Sequence, residues 1–179
     1  MIKVLKKITG FVRGMYWGLS PSVNIKSMKT NIGPFSLLNI ESGKLVAKGR
    51  LKARSGFILN LISGKIDIGK NVFFNSGVSI SCQESISIGD GCIFGENIKV
   101  YDHDHVISFG TSYCDTGFKS KPIKIGKNVW IGANVVILKG VSVGDNSVVG
   151  AGTLLNKDVP ANSICIDKRQ KKFISEIKK

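Results

Sequence analysis

The sequence predicts an all-β chain wound as a parallel β-helix, and three observations predict it. The first is a six-residue period: from Ile125 the chain reads IGKNVW, IGANVV, ILKGVS, VGDNSV, VGAGTL, LNKDVP. An aliphatic residue recurs at Ile125, Ile131, Ile137, Val143, Val149 and Leu155, and a small or β-branched one at Val129, Val135, Val141, Ser147, Thr153 and Val159. The second is a recurring corner phrase, IGKN at 68–71, IGDG at 88–91 and IGKN at 125–128. The third is composition: 179 residues, 42% hydrophobic with 21 Gly, suit one domain with a narrow core and many corners. In a parallel β-helix each six-residue unit is a short strand plus a turn, three units close a triangular coil, and coils stack at about 4.8 Å. The recurring aliphatic points inward, and the Gly or Asn beside it makes the corner, where positive φ is cheap. An ordinary open sheet would instead place turn signals about every 8–12 residues.

Taken in order, residues 1–20 form an N-terminal cap. Ile2, Leu5, Ile8, Phe11, Val12 and Met15 fall at helical spacing, which predicts a short amphipathic helix. Two roles are open to it: capping the end of the solenoid, which every solenoid needs, or lying on a membrane surface. Residues 21–165 form the β-helix. Its register begins faintly from Ile40, at Leu45, Leu51 and Phe57, with about five full coils started by residues 45, 68, 88, 125 and 143 and a ragged one before them. Extra residues at 63–67 and 86–87 are absorbed at corners. Residues 101–124 leave the prism as one long polar loop, and a regular solenoid that extrudes such a loop usually does so for function. Residues 166–179 are a basic tail, with 170–178 as a short closing helix.

Charge is the unusual bulk property. Twenty-six Lys and Arg against twelve Asp and Glu leave +14. The excess clusters at Lys3, Lys6, Lys7 and Arg13, at Lys44, Lys48, Arg50, Lys52 and Arg54, and at Lys168, Arg169, Lys171, Lys172, Lys178 and Lys179. This suggests a polyanionic partner, either a phosphate-rich cofactor or an anionic membrane surface, with plain solubility as the alternative. No aromatic-interleaved basic motif or DNA-reading helix accompanies it, so nucleic acid is not expected. No apolar run reaches the roughly 18 residues of a membrane span, and no leader peptide is read. The four cysteines, at 82, 92, 114 and 165, lack CxxC pairing and read as thiols of a cytoplasmic protein.

Both histidines, His103 and His105, stand where the loop departs, in Tyr-Asp-His-Asp-His. An extended chain points them to the same side. A catalytic zinc wants three protein ligands, and no third His or Cys stands at sensible spacing, so no metal is expected. A general base needs one His and an orienting partner, and Asp102 and Asp104 lie beside it. A metal pair and satisfied structural histidines are the other readings.

Those segments together, FFNSGVSISCQESISIGDGCIFGENIKVYDHDH and SKPIKIGKNVWIGANVVILKGVSVGDNSVVGAGTLLNKDVPANS, resemble the hexapeptide-repeat acyltransferases, most of all the sugar and polysaccharide O-acetyltransferases that include the galactoside and maltose enzymes. The resemblance covers about residues 65–165. It implies a left-handed β-helix, a homotrimer with active sites between subunits, acetyl-CoA as acyl donor and a sugar or oligosaccharide acceptor.

Carried over residue by residue, the resemblance makes His105 the base that takes the acceptor hydroxyl proton, with His103 in reserve. It makes Asn75 an acceptor contact and Trp130 a wall of the coenzyme cleft. The backbones of Ala133 and Ala151 would meet the pantetheine arm, and Asn156 with Lys157 would stand near the coenzyme's far end. Asn156–Lys157 departs from the Thr-Lys usual in galactoside enzymes, and the tail departs from their Gly-x-Pro-Ala ending. Lys168 and Arg169 are expected to meet the nucleotide phosphates. The implied function is acetyl-CoA-dependent O-acetylation of a sugar hydroxyl in surface polysaccharide synthesis, in the cytoplasm or at the inner face of the membrane. N-acetylation of an amino sugar, acetylation of an antibiotic, and a non-catalytic trimeric scaffold on anionic surfaces are the alternatives. No acyl-enzyme is expected on any of the four cysteines.

Overall fold

The computed structural model describes residues 2–26, 29–107, 109–110, 112 and 116–167, with the side chains of 2–7 outside the description. Three parallel sheets form the faces of a β-solenoid of about 6 turns, consistent with a left-handed β-helix. The first face stacks Val23–Ile25, Lys44–Ala47, Lys65–Ile68, Ser85–Ile88, Ile123–Ile125 and Ser142–Val143. The second stacks Asn31–Ile32, Leu51–Ala53, Val72–Phe74, Ile93–Phe94, Trp130–Ile131, Val148–Val149 and Ile164–Cys165. The third stacks Leu37–Ile40, Ile58–Leu61, Ser79–Cys82, Lys99–Tyr101, Val136–Ile137 and Leu154–Leu155.

Both repeating positions of each hexad point inward. Ile131 and Val135, for example, are fully buried, as are the neighbours stacked above and below them. Because each coil repeats the one before it, like stacks on like. Phe57, Phe74 and Phe94 form one column through three coils, with ring centroids 4.8 and 4.7 Å apart, and Trp17 closes its end 6.1 Å from Phe57.

Three details of the coils differ from the sequence reading. The ragged first coil is regular: Val23–Ile25 pairs with Leu45–Ala47 and Leu37–Ile40 with Ile58–Leu61, so six strands stack on the first face rather than about five. The extra residues sit at 62–64 and 83–84, upstream of where they were expected, because 65–68 and 85–88 are themselves strands. Tyr101 and Ile123–Lys124 belong to strands, so the excursion from the prism is 102–122.

The corner chemistry is also divided between two residues. Positive φ falls on the Asn three places after the aliphatic, as at Asn128 (54°) and Asn134 (58°). The Gly beside the aliphatic serves close approach instead. A Cβ on Gly132 would lie 2.6 Å from the amide nitrogen of Ala151 in the next coil, nearer than any real Cβ sits.

The helix α1 (Ile2–Trp17) is present, and of the described apolar row Phe11 is half-buried while Ile8, Val12 and Met15 turn outward. Gly10, Gly14 and Trp17 are buried, while Ile8, Val12 and Met15 are each more than half exposed, with Tyr16 at 73%. The physical reason is close packing on the first coil. Cβ atoms at Gly10 and Gly14 would lie 2.7 Å from the Asn31 side chain and 3.1 Å from the Thr30 carbonyl oxygen. Arg13 then donates Nη1 to the carbonyls of Ile32 and Gly33, both at 2.8 Å, satisfying edge groups that have no strand below them.

The aromatic column makes a direct prediction. Phe74→Ala should cost about 3–5 kcal/mol, read as a lower urea midpoint at unchanged slope. An unchanged midpoint would mean that the column does not hold the coils together.

Candidate active site

The loop leaves the prism at a buried carboxylate. Asp102 is fully buried. Its oxygens accept from the amides of Gln83 and Glu84, both at 2.8 Å, and from the Cys82 thiol at 3.3 Å. These donors lie one coil back, and without them a carboxylate could not sit there at tolerable cost. Asp102 also lies 2.9 Å from His103 Nδ1. With the carboxylate accepting, Nδ1 carries the proton and Nε2 is left as the basic nitrogen of the neutral ring.

Beyond Asp102 the chain forms an antiparallel hairpin, His103–His105 against Phe118–Ser120. Phe118 lies against both imidazoles, edge-on to His103 at 5.1 Å and tilted to His105 at 4.5 Å. The two rings therefore share one aromatic neighbour, as expected for alternate residues of an extended strand. Asp104 pairs with Lys139, which follows Val136–Ile137 of the third face. The Lys121 amide donates to the Asp102 carbonyl at 2.8 Å and closes the hairpin's root.

A second constellation lies on the second face. An open groove of about 490 Å³ is lined by Asn75, Trp130, Ala133 and Ala151, four of the residues expected at the site, together with Phe73, Ile93, Glu96 and Val148. Its floor is a row of glycines, Gly95, Gly132 and Gly150, joined coil to coil by Gly95 N to Ile131 O and Gly132 N to Val149 O, at 2.8 and 2.7 Å. Without side chains on that row, a narrow ligand can reach the backbone. Trp130, 55% exposed, stands along its edge.

Neither histidine lines this groove. They stand at the corner between the third and first faces, whereas Asn75 stands at the corner between the second and third. Asn156 and Lys157 lie on an exposed turn after Leu154–Leu155 and do not line the groove. Lys168 and Arg169, and the closing helix expected over 170–178, lie outside the described residues, as does Cys114. Among the described residues no cluster of three or more His, Cys, Asp or Glu could hold a metal ion.

Two side chains were not singled out as site residues in the sequence. Phe118 carries no motif, and only the hairpin register brings it to the histidines. Arg54 donates to Asn75 Oδ1 at 3.2 Å. Its place in a basic cluster was visible, but its coil-to-coil neighbour was not.

A family model for the hexapeptide repeat of succinyl-transferase matches residues 122–157. Among curated relatives, the galactoside O-acetyltransferase of Escherichia coli K12 is 38% identical over 104 residues, 55% of this chain and 48% of that protein. The galactoside O-acetyltransferase of Lactococcus lactis is 32% identical over 124 residues, 64% of this chain and 57% of that one. A solved hexapeptide-repeat-containing acetyltransferase of Vibrio cholerae superposes with a TM-score of 0.54 at 35% identity over 57% of each chain. The same Vibrio protein complexed with acetyl coenzyme A superposes with a TM-score of 0.52 at 26% identity, covering 75% of this chain and 67% of that one. The chain spans about half the length of the curated relatives it matches.

Solenoid and repeat together define a hexapeptide-repeat β-helix protein. Within that class the resemblance is to the acetyltransferases, galactoside O-acetyltransferases among them.

The buried thiols give a prediction. Burial pushes the Cys82 thiol up, and the adjacent Asp102 carboxylate adds to it; burial likewise raises Cys92. Both stay protonated at neutral pH, so iodoacetamide should label them only after unfolding. The folded state holds these protons more tightly than the unfolded chain, whose thiols titrate near about 8.5. Their contribution is therefore full below that pH and is lost as pH rises above it. The fall in urea midpoint between pH 8 and pH 10 should shrink in Cys82→Ala, and an unchanged fall would remove Cys82 from the account.

Proposed function

We propose that this chain is an acetyl-CoA-dependent O-acetyltransferase acting on a sugar hydroxyl, and that it works as a homotrimer. The observation that carries the reading is the glycine-floored groove, which gathers Asn75, Trp130, Ala133 and Ala151 from three coils. The resemblance to named acetyltransferases supports it. Trimerisation is supported by the division of the site, because the histidine corner and the groove lie at different corners of one prism. A neighbouring subunit's histidine corner set against this groove would complete the site.

In the proposed mechanism His105 removes the acceptor hydroxyl proton while the oxygen attacks the thioester carbon. The tetrahedral oxyanion is held by a backbone N–H of the groove. Its collapse breaks the C–S bond, and the proton on His105 passes to the departing coenzyme A thiolate. Asn75 holds the acceptor. Lys157, Lys168 and Arg169 are assigned to the nucleotide phosphates. A role in surface polysaccharide synthesis fits a sugar acceptor.

One observation favours a second assignment of the base. His103 bonds the buried Asp102, and a ring held in one tautomer is better prepared to accept a proton. Acetyl transfer by His105→Ala and His103→Ala separates the two. His105→Ala should lose about 10²–10⁴-fold in turnover with the oligomer intact, and His103→Ala far less. The reverse order would move the base to the Asp102-held ring. A chain that stays monomeric at micromolar concentration would remove the composite site.

Peripheral association with an anionic membrane is a further part of this proposal. Residues 1–40 contain six Lys and Arg and no Asp or Glu, and α1 turns Ile8, Val12 and Met15 outward, the arrangement of an interfacial helix. Val12→Glu with Met15→Glu should abolish sedimentation with phosphatidylserine vesicles at unchanged acetyl-CoA affinity. Sedimentation that persists would mean that the outward row does not meet lipid.

A further inference from the structure

The basic cluster at residues 50–54 stands directly beside the acceptor asparagine. The second face stacks in strict register, so that Lys52 sits beside Phe73, then Ile93, Trp130 and Val148 in successive coils. The neighbouring row runs Arg54, Asn75, Gly95, Gly132 and Gly150. The donor groove therefore does not end at Asn75. It continues one coil toward the N-terminus into a second groove of about 440 Å³, which shares Phe73 and Ile93 with the first and is lined on its far side by Arg50 and Lys52.

Charge in this extension is of one sign. Lys52 Nζ lies 5.4 Å and Arg54 Cζ 5.6 Å from the centroid of the Phe73 ring, so both cations stand within reach of one aromatic ring. Arg54 spends one donor on Asn75 Oδ1, and its guanidinium has others to offer. No carboxylate lines the extension. The acid nearest in sequence to its rim, Asp90, already accepts from the Lys70 amide at 2.7 Å. Glu96 lines only the donor groove. None of Arg50, Lys52 and Arg54 is ion-paired among the described residues. Three unneutralised cations around an aromatic platform, one of them bonded to the acceptor asparagine, are more than solubility requires.

We propose that Arg50, Lys52 and Arg54, with Phe73 as the stacking platform, form a subsite for an anionic group on the acceptor, so that the preferred acceptor is a sugar bearing a carboxylate or a phosphate. The inference rests on the acetyltransferase reading and assigns its substrate class. A sugar ring stacks on Phe73 with its hydroxyl toward Asn75, while its anionic substituent reaches the cations one coil away. Arg54 joins the two, because the same guanidinium that contacts the anion fixes the asparagine's amide.

Titration calorimetry on the full chain, with p-nitrophenyl β-glucuronide, glucose 1-phosphate and p-nitrophenyl β-glucoside, tests this directly. At least one anionic probe should bind about tenfold more tightly than the neutral one, the gain of two or so exposed charge contacts. Which of the two does so separates carboxylate from phosphate. The preference should fade between 0.1 and 1 M salt as the screening length contracts from about 10 to about 3 Å. It should also collapse in Lys52→Gln with Arg54→Gln and persist largely in Arg54→Lys. Equal affinities for all three probes, no measurable binding of any, or a preference that survives the double substitution would overturn the subsite. An anionic preference without acetyl transfer to any probe would instead overturn the acetyltransferase reading and leave the subsite standing.

Discussion

Everything in this molecule depends on backbone hydrogen bonding between coils. Each strand donates to and accepts from its counterpart one turn away, as Ile93 N donates to Val129 O and Trp130 N to Ser147 O. That bonding fixes the coil spacing, and the spacing dictates side-chain identity. A residue must tolerate its own kind stacked above it, which is why phenylalanine stacks on phenylalanine inside and asparagine on asparagine at a corner. Asn128 donates to Asn146 Oδ1 at 3.0 Å and Asn146 to Asn162 Oδ1 at 3.2 Å, a ladder that satisfies amides which must turn through positive φ. A side chain that fits one coil but not its neighbours has to leave the stack, and the excursion at 102–122 is where the chain does so.

The same constraint builds the functional surface. An outward residue is in register with outward residues of other coils, so side chains about twenty positions apart in sequence become neighbours along a straight row. The glycine row beside Trp130 is a groove only because several coils contribute the same small residue. Asp102 shows the cost of breaking the repeat: where the chain departs, the amides of Gln83 and Glu84 in the coil below are met by a carboxylate in place of a strand. One side chain thereby completes the sheet edge and holds His103.

Much of this was legible from the residues, and the limits have physical causes. The inward positions and the corner asparagines follow from period alone, because the stacking rule leaves so little choice. The first coil was only faintly visible, since Val23, Ile32 and Leu38 carry no Ile-Gly-x-Asn phrase and rely on the second coil for register. The face that α1 buries was not legible for a different reason. Its apolar spacing is genuine, but Gly10 and Gly14 allow an approach that no larger residue could make, and steric access outweighed hydrophobicity in choosing the buried face. The four residues named from the resemblance, Asn75, Trp130, Ala133 and Ala151, line one groove because each lies on the repeat. Phe118 was not found, because it reaches the histidines through a hairpin register that no period describes.

The partnership of the histidines shows where sequence adjacency stops informing. Asp102 and Asp104 flank His103 equally, and each is a fair orienting group on sequence grounds. Burial separates them. Asp102 turns into the prism, where the exposed edge of the previous coil supplies its donors. Asp104 turns outward to Lys139. A break in alternation decides this, since residues 102 and 104 would share a side if the strand were regular from 102 onward. They do not, because Asp102 still belongs to the corner of the coil and His103 is the first residue of the hairpin. The boundary between solenoid and loop thus falls within the Asp-His-Asp-His run, and that boundary gives one histidine a buried partner and leaves the other at the surface beside Phe118.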